Sequence, residues 1–155
     1  MKPLEISLLL TENFGNRIMD SDLDSVNPFS IIDPAAILQV CRFMCNDNRL
    51  AMDHLELLSG VDFKDHMEVV YVLYSMKLQH RFTLKCRLPR EDPRLSTVES
   101  VWTVANWHER EAYDMFGIVF EGHSDLRRIL CPDDWEGYPL RKDYIFPKSY
   151  RDLPV

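Results

Sequence analysis

Residues 106–146 read NWHEREAYDMFGIVFEGHSDLRRILCPDDWEGYPLRKDYIF and carry paired charges and aromatic side chains more densely than anything upstream. Glu109, Arg110, Glu111 and Asp114 follow a helical pattern, with Glu111 and Asp114 three apart and Arg110 and Asp114 four apart. Side chains at that spacing are neighbours on a helix, so both carboxylates can reach toward neighbouring faces and one can pair with Arg110. Two adjacent carboxylates could act as acid and base in a cleft. No companion nucleophile is evident, and the favoured reading is an ion-pair network that fixes the helix against the end of the chain.

His108 and His123, with Asp114 or Asp125, have the donor types of a metal site, but the HxxxH, HxH and HExxH spacings that bring ligands together are missing. His123 after Gly122 reads instead as a turn histidine bonding to backbone. Arg127, Arg128, Arg141 and Lys142 have the chemistry to hold a phosphate. They are interleaved with Asp125, Asp133, Asp134, Glu136 and Asp143, so that residues 125–155 hold six basic and six acidic side chains. Such neutral alternation suits docking on a protein surface better than capture of a polyanion. From 131 to 155 there are four prolines and five aromatics, Trp135, Tyr138, Tyr144, Phe146 and Tyr150, without helix or strand period. Aromatic and Arg side chains of this kind anchor interfaces, so this tail is expected to lie extended along another chain.

Cys41 and Cys45 share a helical face, Cys86 fills an apolar slot of an alternating strand, and Cys131 stands among prolines; with no CxxC pair they read as thiols in a reducing compartment. The scattered glycines form no phosphate loop, and GxSxG is missing. A net charge of −7 without a basic face excludes a general nucleic-acid binder. No ten consecutive residues lack Asp, Glu, Lys and Arg, so nothing resembles a membrane span. The N-terminus, MKPLEISLLLTENFG, reads as mature protein rather than a signal peptide.

The elements that must position these residues fit one domain: 155 residues, 46% hydrophobic and 28% charged, support a single core. A first helix is predicted over 4–14, closed by Gly15, then a polar loop over 16–27 whose Asp20, Asp22 and Asp24 lack the glycine and glutamate of a calcium loop. A short strand over 28–32 leads to Asp33-Pro34, the start of a second helix that buries Ala36, Ile37, Val40, Cys41, Phe43 and Met44. Period-two runs over 52–62, 67–76 and 79–88 predict an antiparallel meander. In the last, Phe82, Leu84, Cys86 and Leu88 face a core, while Arg81, Thr83, Lys85 and Arg87 make a basic, wet face. A helix is predicted over 97–116 with Gly117 as its stop. The fold class is α+β, a two-layer sandwich with helices on a small mixed, mostly antiparallel sheet, comprising a body over 1–130 and an extended docking tail over 131–155.

The runs EREAYDMFGIVFEGHSDLRRIL (109–130) and PDDWEGYPLRKDY (132–144) resemble the signature of the 30-kilodalton subunit family of respiratory complex I, NADH:quinone oxidoreductase. LELLSGVDFKDHMEVVYVLYSMKLQHRFTLKCRLP and VESVWTVANW resemble that family's sheet and connecting helix, extending the likeness over about 30–146. Ser124 stands where proline is common after the histidine, and Ile145-Phe146 follow Tyr144 where proline is frequent.

The resemblance implies a non-catalytic structural subunit of the peripheral arm, on the cytoplasmic side of a bacterial inner membrane and held there only through its partners. It implies docking on the 49-kilodalton-type subunit and on neighbouring iron–sulfur subunits. No cofactor is expected on this chain; NAD(H), FMN, iron–sulfur clusters and quinone belong elsewhere in the complex. The partner-binding residues it implies are Glu109, Arg110, Glu111, Asp114, His123, Asp125, Arg127, Arg128, Trp135, Pro139, Leu140, Arg141, Lys142, Asp143 and Tyr144. The alternatives are a stand-alone enzyme using Glu109, Glu111 and Asp114, and the equivalent subunit of a membrane-bound hydrogenase or ferredoxin-linked complex.

Overall fold

The computed structural model describes residues 1–151, 153 and 154; residues 152 and 155 of the expected tail lie outside the described residues. Helix α1 (Pro3–Phe14) starts with proline in its first turn, where no N–H is needed, and with Glu5 accepting from Lys2 N at 2.8 Å. It stops at Gly15, whose φ of 53° suits glycine. Its inner face is Ile6, Leu9 and Leu10.

Strand β1 (Ile18–Asp22) then pairs antiparallel with β2 (Phe29–Ile32). This corrects the loop expected over 16–27. An edge strand with no fully buried residue shows no apolar alternation, so its polar composition reads as loop. Asp33 Oδ1 accepts from Ala35 N at 3.0 Å and caps a single 3-10 turn, Pro34–Ala36, which feeds α2 (Ile37–Asn46). Ile37, Val40, Cys41 and Met44 are buried, while Phe43 is half-buried, edge-on to Phe14 at 5.4 Å.

Strands β3 (His54–Asp62), β4 (His66–Ser75) and β5 (His80–Pro89) form the meander. Because β5 also pairs parallel with β2, the sheet is mixed, in the order β1-β2-β5-β4-β3. Its inner face buries Met67, Val69, Tyr71 and Leu73 from β4 and Phe82, Leu84, Cys86 and Leu88 from β5. The outer face is drier than the alternation predicts. Arg81 and Arg87 are exposed, but Thr83 is buried and Lys85 lies against the Phe29 ring at 3.9 Å, with Nζ 3.3 Å from the buried Glu68.

Strand β6 (Arg94–Ser96) pairs parallel with β7 (Val119–Glu121), bracketing α3 (Ala105–Phe116). The helix expected over 97–116 is therefore only its second half. Val98, Val101 and Trp102 imitate helical spacing, yet Val98 N turns to the Glu109 carboxylate and Trp102 Nε1 donates to Met52 O at 3.0 Å, which ties residues 97–104 to the body as turns. The three helices lie on the inner face of the sheet around one core, the predicted two-layer α+β arrangement. α3 approaches closely at Gly60, where a Cβ would sit 2.8 Å from the Phe116 ring. Beyond β7 the chain runs in turns to the small antiparallel pair β8 (Ser149–Tyr150) and β9 (Leu153–Pro154). No helix is long and apolar enough to cross a membrane among the described residues.

Candidate functional site

Asp114, wholly buried on the last turn of α3, organises the segment that follows. Arg128 Nη1 donates to its Oδ1 at 2.6 Å, and the consecutive N–H groups of Ile129, Leu130 and Cys131 donate to Oδ2 at 3.0, 2.7 and 2.8 Å. Burial pushes the carboxyl up, but these donors outweigh it and hold Asp114 below the ordinary carboxylate range. The Arg110–Asp114 pair that the spacing allows does not form. Arg128 arrives with three backbone donors beside it, whereas Arg110 donates to Arg127 O and Arg128 O at 3.2 and 3.0 Å. Arg128 Nη2 continues to Trp135 O at 2.8 Å and Gly137 O at 2.9 Å, so one guanidinium joins the helix end to the next turn of the chain.

A second clamp holds residues 138–143. Arg90 bridges Asp62 (Nε to Oδ1 3.1 Å, Nη2 to Oδ2 3.0 Å) and Asp143 (Nη2 to Oδ1 2.6 Å), while Lys142 N donates to Asp62 Oδ2 at 2.9 Å. The Arg90 guanidinium holds Asp62 and Asp143 below their ordinary range. Leu140 N donates to Met115 O at 3.1 Å and Arg141 Nε to Phe116 O at 2.7 Å, satisfying carbonyls that the end of α3 leaves open. Gly117, left-handed at φ 74°, has the Tyr138 ring 2.5 Å from where a Cβ would stand, and Arg141 lies 4.9 Å from that ring.

A third cluster sits near the start of α3. The buried Glu109 accepts from Val98 N at 2.8 Å and from Thr97 Oγ1. Burial pushes its carboxyl up to about 7, against the pull of those two donors. His123 has its side chain fully enclosed; Nε2 donates to Asn106 O at 3.0 Å and Nδ1 accepts from Asp125 N at 3.0 Å, the predicted turn-histidine role. Its Nε2 is 3.7 Å from Glu99 Oε2 and 3.9 Å from Glu109 Oε2. Burial pushes Glu99 up, but Asn106 and Ser124 donors bring it below its ordinary range. Ser124 N and Oγ donate to Glu99 at 2.8 and 3.1 Å; a proline there would lack that N–H.

Of the residues expected to touch a partner, Glu109, Asp114 and His123 thus turn inward and position other parts of the chain. Arg110, Arg128, Arg141, Asp143 and the backbone of Lys142 take part in the clamps. Asp125 pairs with Arg127 at 2.8 Å in solvent. Trp135 lies 5.2 Å from the Tyr150 ring, and Tyr144 donates to Glu136 O at 3.1 Å. Pro139 is half-buried. Leu140 (54%), Ile145 (87%) and Phe146 (60%) stand largely in water, as does Glu111. Asp62, Arg90, Thr97 and Glu99 are site residues that sequence reasoning missed. They lie 7 to 80 residues from the groups they serve, and no local pattern marks them.

Asp114 is saturated by its four donors, and Glu111 is exposed with no hydrogen bond to it among the described residues. Burial holds the thiols of Cys41 and Cys86 far above their ordinary range, as protonated packing groups. Among the described residues no group of three His, Cys, Asp or Glu side chains is placed to hold a metal ion.

The geometry coincides with strong likenesses. An NADH-quinone oxidoreductase subunit of Chloroherpeton thalassium is 46% identical over 150 residues, covering 95% of this chain and 62% of that protein. One from Chlorobium phaeobacteroides is 42% identical over 151 residues, covering 95% of this chain and 91% of that protein. A solved trypsin-resistant fragment of Nqo5 superposes with a TM-score of 0.64 at 33% identity, over 80% of this chain and 99% of the fragment. A polypeptide of the membrane-bound sulfane sulfur reductase, an archaeal respiratory membrane complex, gives 0.74 at 26% identity, over 94% of this chain and 86% of that one. The model of the family described as respiratory-chain NADH dehydrogenase, 30 Kd subunit, matches residues 30–150. With the signature residues holding the end of α3 to the turns that follow it, this chain belongs to the family of the 30-kilodalton subunit of respiratory-chain NADH dehydrogenase.

Proposed function

We propose that the chain is a non-catalytic structural subunit in the peripheral arm of a complex I-like NADH:quinone oxidoreductase. It docks on the 49-kilodalton-type subunit, beside iron–sulfur subunits, with residues 1–130 as body and 131–155 as docking tail. NAD(H), FMN, clusters and quinone are carried by other subunits. This chain supports electron transfer to quinone and the coupled ion translocation by holding the assembly together at the cytoplasmic face of the membrane. One observation carries the reading. Arg110, Asp114, Arg128, Arg141 and Asp143 are spent inside the chain as clamps, while Leu140, Ile145 and Phe146 are left in water at the end of a segment so braced. Apolar side chains displayed on a rigid support are what a partner surface covers.

The experiment is purification of the affinity-tagged chain from native membranes. The wild type is expected to bring down a large hydrophilic subunit and iron–sulfur subunits. The double variant Leu140→Asp, Phe146→Asp should lose them while keeping its circular dichroism, because both side chains are exposed. Recovery of the wild type as a lone monomer overturns the proposal.

A further inference from the structure

The first turns of α3 and the residues that Asp114 holds enclose a groove of about 630 Å³, lined by Val104, Trp107, His108, Glu111, Ile129 and Leu130. Trp107 is 69% exposed and Leu130 63%, a pairing of large apolar groups that water alone does not stabilise. None of the described hydrogen bonds or ion pairs of residues 131–151 enters the groove; that segment leaves toward Met115, Phe116 and Asp62. The walls are preformed. Ile129 N and Leu130 N are fixed on Asp114, and Trp102 Nε1 on Met52 O anchors the approach to α3. An occupant therefore meets a surface with little left to order.

The charge of the groove selects its occupant. Glu111 is its single carboxylate, and its side chain makes no hydrogen bond or ion pair among the described residues, whereas Asp114, Asp125, Asp134 and Asp143 each have an Arg partner. The geometry points to this groove as the docking site for a polypeptide segment of a neighbouring subunit that presents an Arg or Lys flanked by apolar side chains. The cation pairs with Glu111 beside the face of the Trp107 indole, and its stem and neighbours cover Val104 and Leu130. An anionic lipid headgroup would be repelled by the same carboxylate. The inference rests on the proposed assembly role and adds a second contact, separate from Leu140 and Phe146.

A photo-crosslinking amino acid placed at position 107 of the tagged full-length chain tests it in the complex purified from native membranes. The expected product is a crosslinked peptide of another subunit with Arg or Lys close to the attachment point. Its yield should fall about fivefold or more with Glu111→Lys and less with Glu111→Gln. If the complex assembles but position 107 gives no product, or joins lipid, the chain's own tail or a second copy, the groove assignment is overturned and the assembly role stands. Purification of the chain alone overturns both.

Discussion

Replacing Glu109 by Gln should do little below about pH 4.5, stabilise the protein increasingly from there to about pH 7, and give its full effect above that. The carboxyl sits among Thr97, Glu99 and His123, with the Cys41 thiol and Tyr71 phenol within electrostatic range from α2 and β4. Burial raises it from 4.5 to about 7. Between those values the folded chain holds a proton that the unfolded chain has released, so stability falls as pH rises through that window and levels off above it. At 1.36 kcal/mol for each pH unit separating the two states, the loss reaches roughly 3 kcal/mol. Gln keeps an oxygen for Val98 N and offers an N–H to Thr97 Oγ1, so it copies the protonated acid without its titration. Glu99 and His123 remain in both proteins, so the comparison differs only in the Glu109 charge and its coupling to them. Urea unfolding followed by tryptophan fluorescence, from about pH 5 to about pH 8 at fixed ionic strength, should show the variant gaining roughly 3 kcal/mol on the wild type across the range. Parallel pH profiles, or a variant less stable than wild type at the alkaline end, would refute a buried, protonated Glu109.

Asp114→Asn leaves the guanidinium of Arg128 without its counter-charge and removes one acceptor from a site fed by four donors, so a loss of roughly 3 kcal/mol in urea unfolding is expected; an unchanged midpoint would mean the clamp is not formed in solution. Gly117→Ala forces a left-handed alanine against the Tyr138 ring, a cost of about 2 kcal/mol. Limited proteolysis should then cut residues 130–146 several times faster, and equal rates would show that Tyr138 does not pack there.

Strong periodicity was legible wherever burial was one-sided and continuous. The meander, the buried stripe of α2, the Asp33-Pro34 start and the Gly117 stop follow from side-chain alternation and from backbone conformations that few residues accept. Elements failed to announce themselves where tertiary contacts replace local ones. β1 owes its existence to pairing with β2, and residues 97–104 were drawn out of helix by Glu109 and Met52. The same limit applied to the site. Spacing proposed Arg110 for Asp114, because four residues along a helix is a distance that sequence encodes. The partner that wins, Arg128, is a neighbour only after the chain has turned at Gly117 and Gly122.

Composition, period and the 109–144 signature alone determine the class of fold, the family and the segment where its chemistry lies. They do not determine which charges of that segment face inward. A carboxylate has the same side chain whether it caps a backbone loop, as Glu109 and Asp114 do, or waits in water, as Glu111 does. Only the docking of α3 against β3 and the return of residues 128–143 assign those roles, because the donors that satisfy a buried charge come from distant parts of the chain and converge only in the folded state.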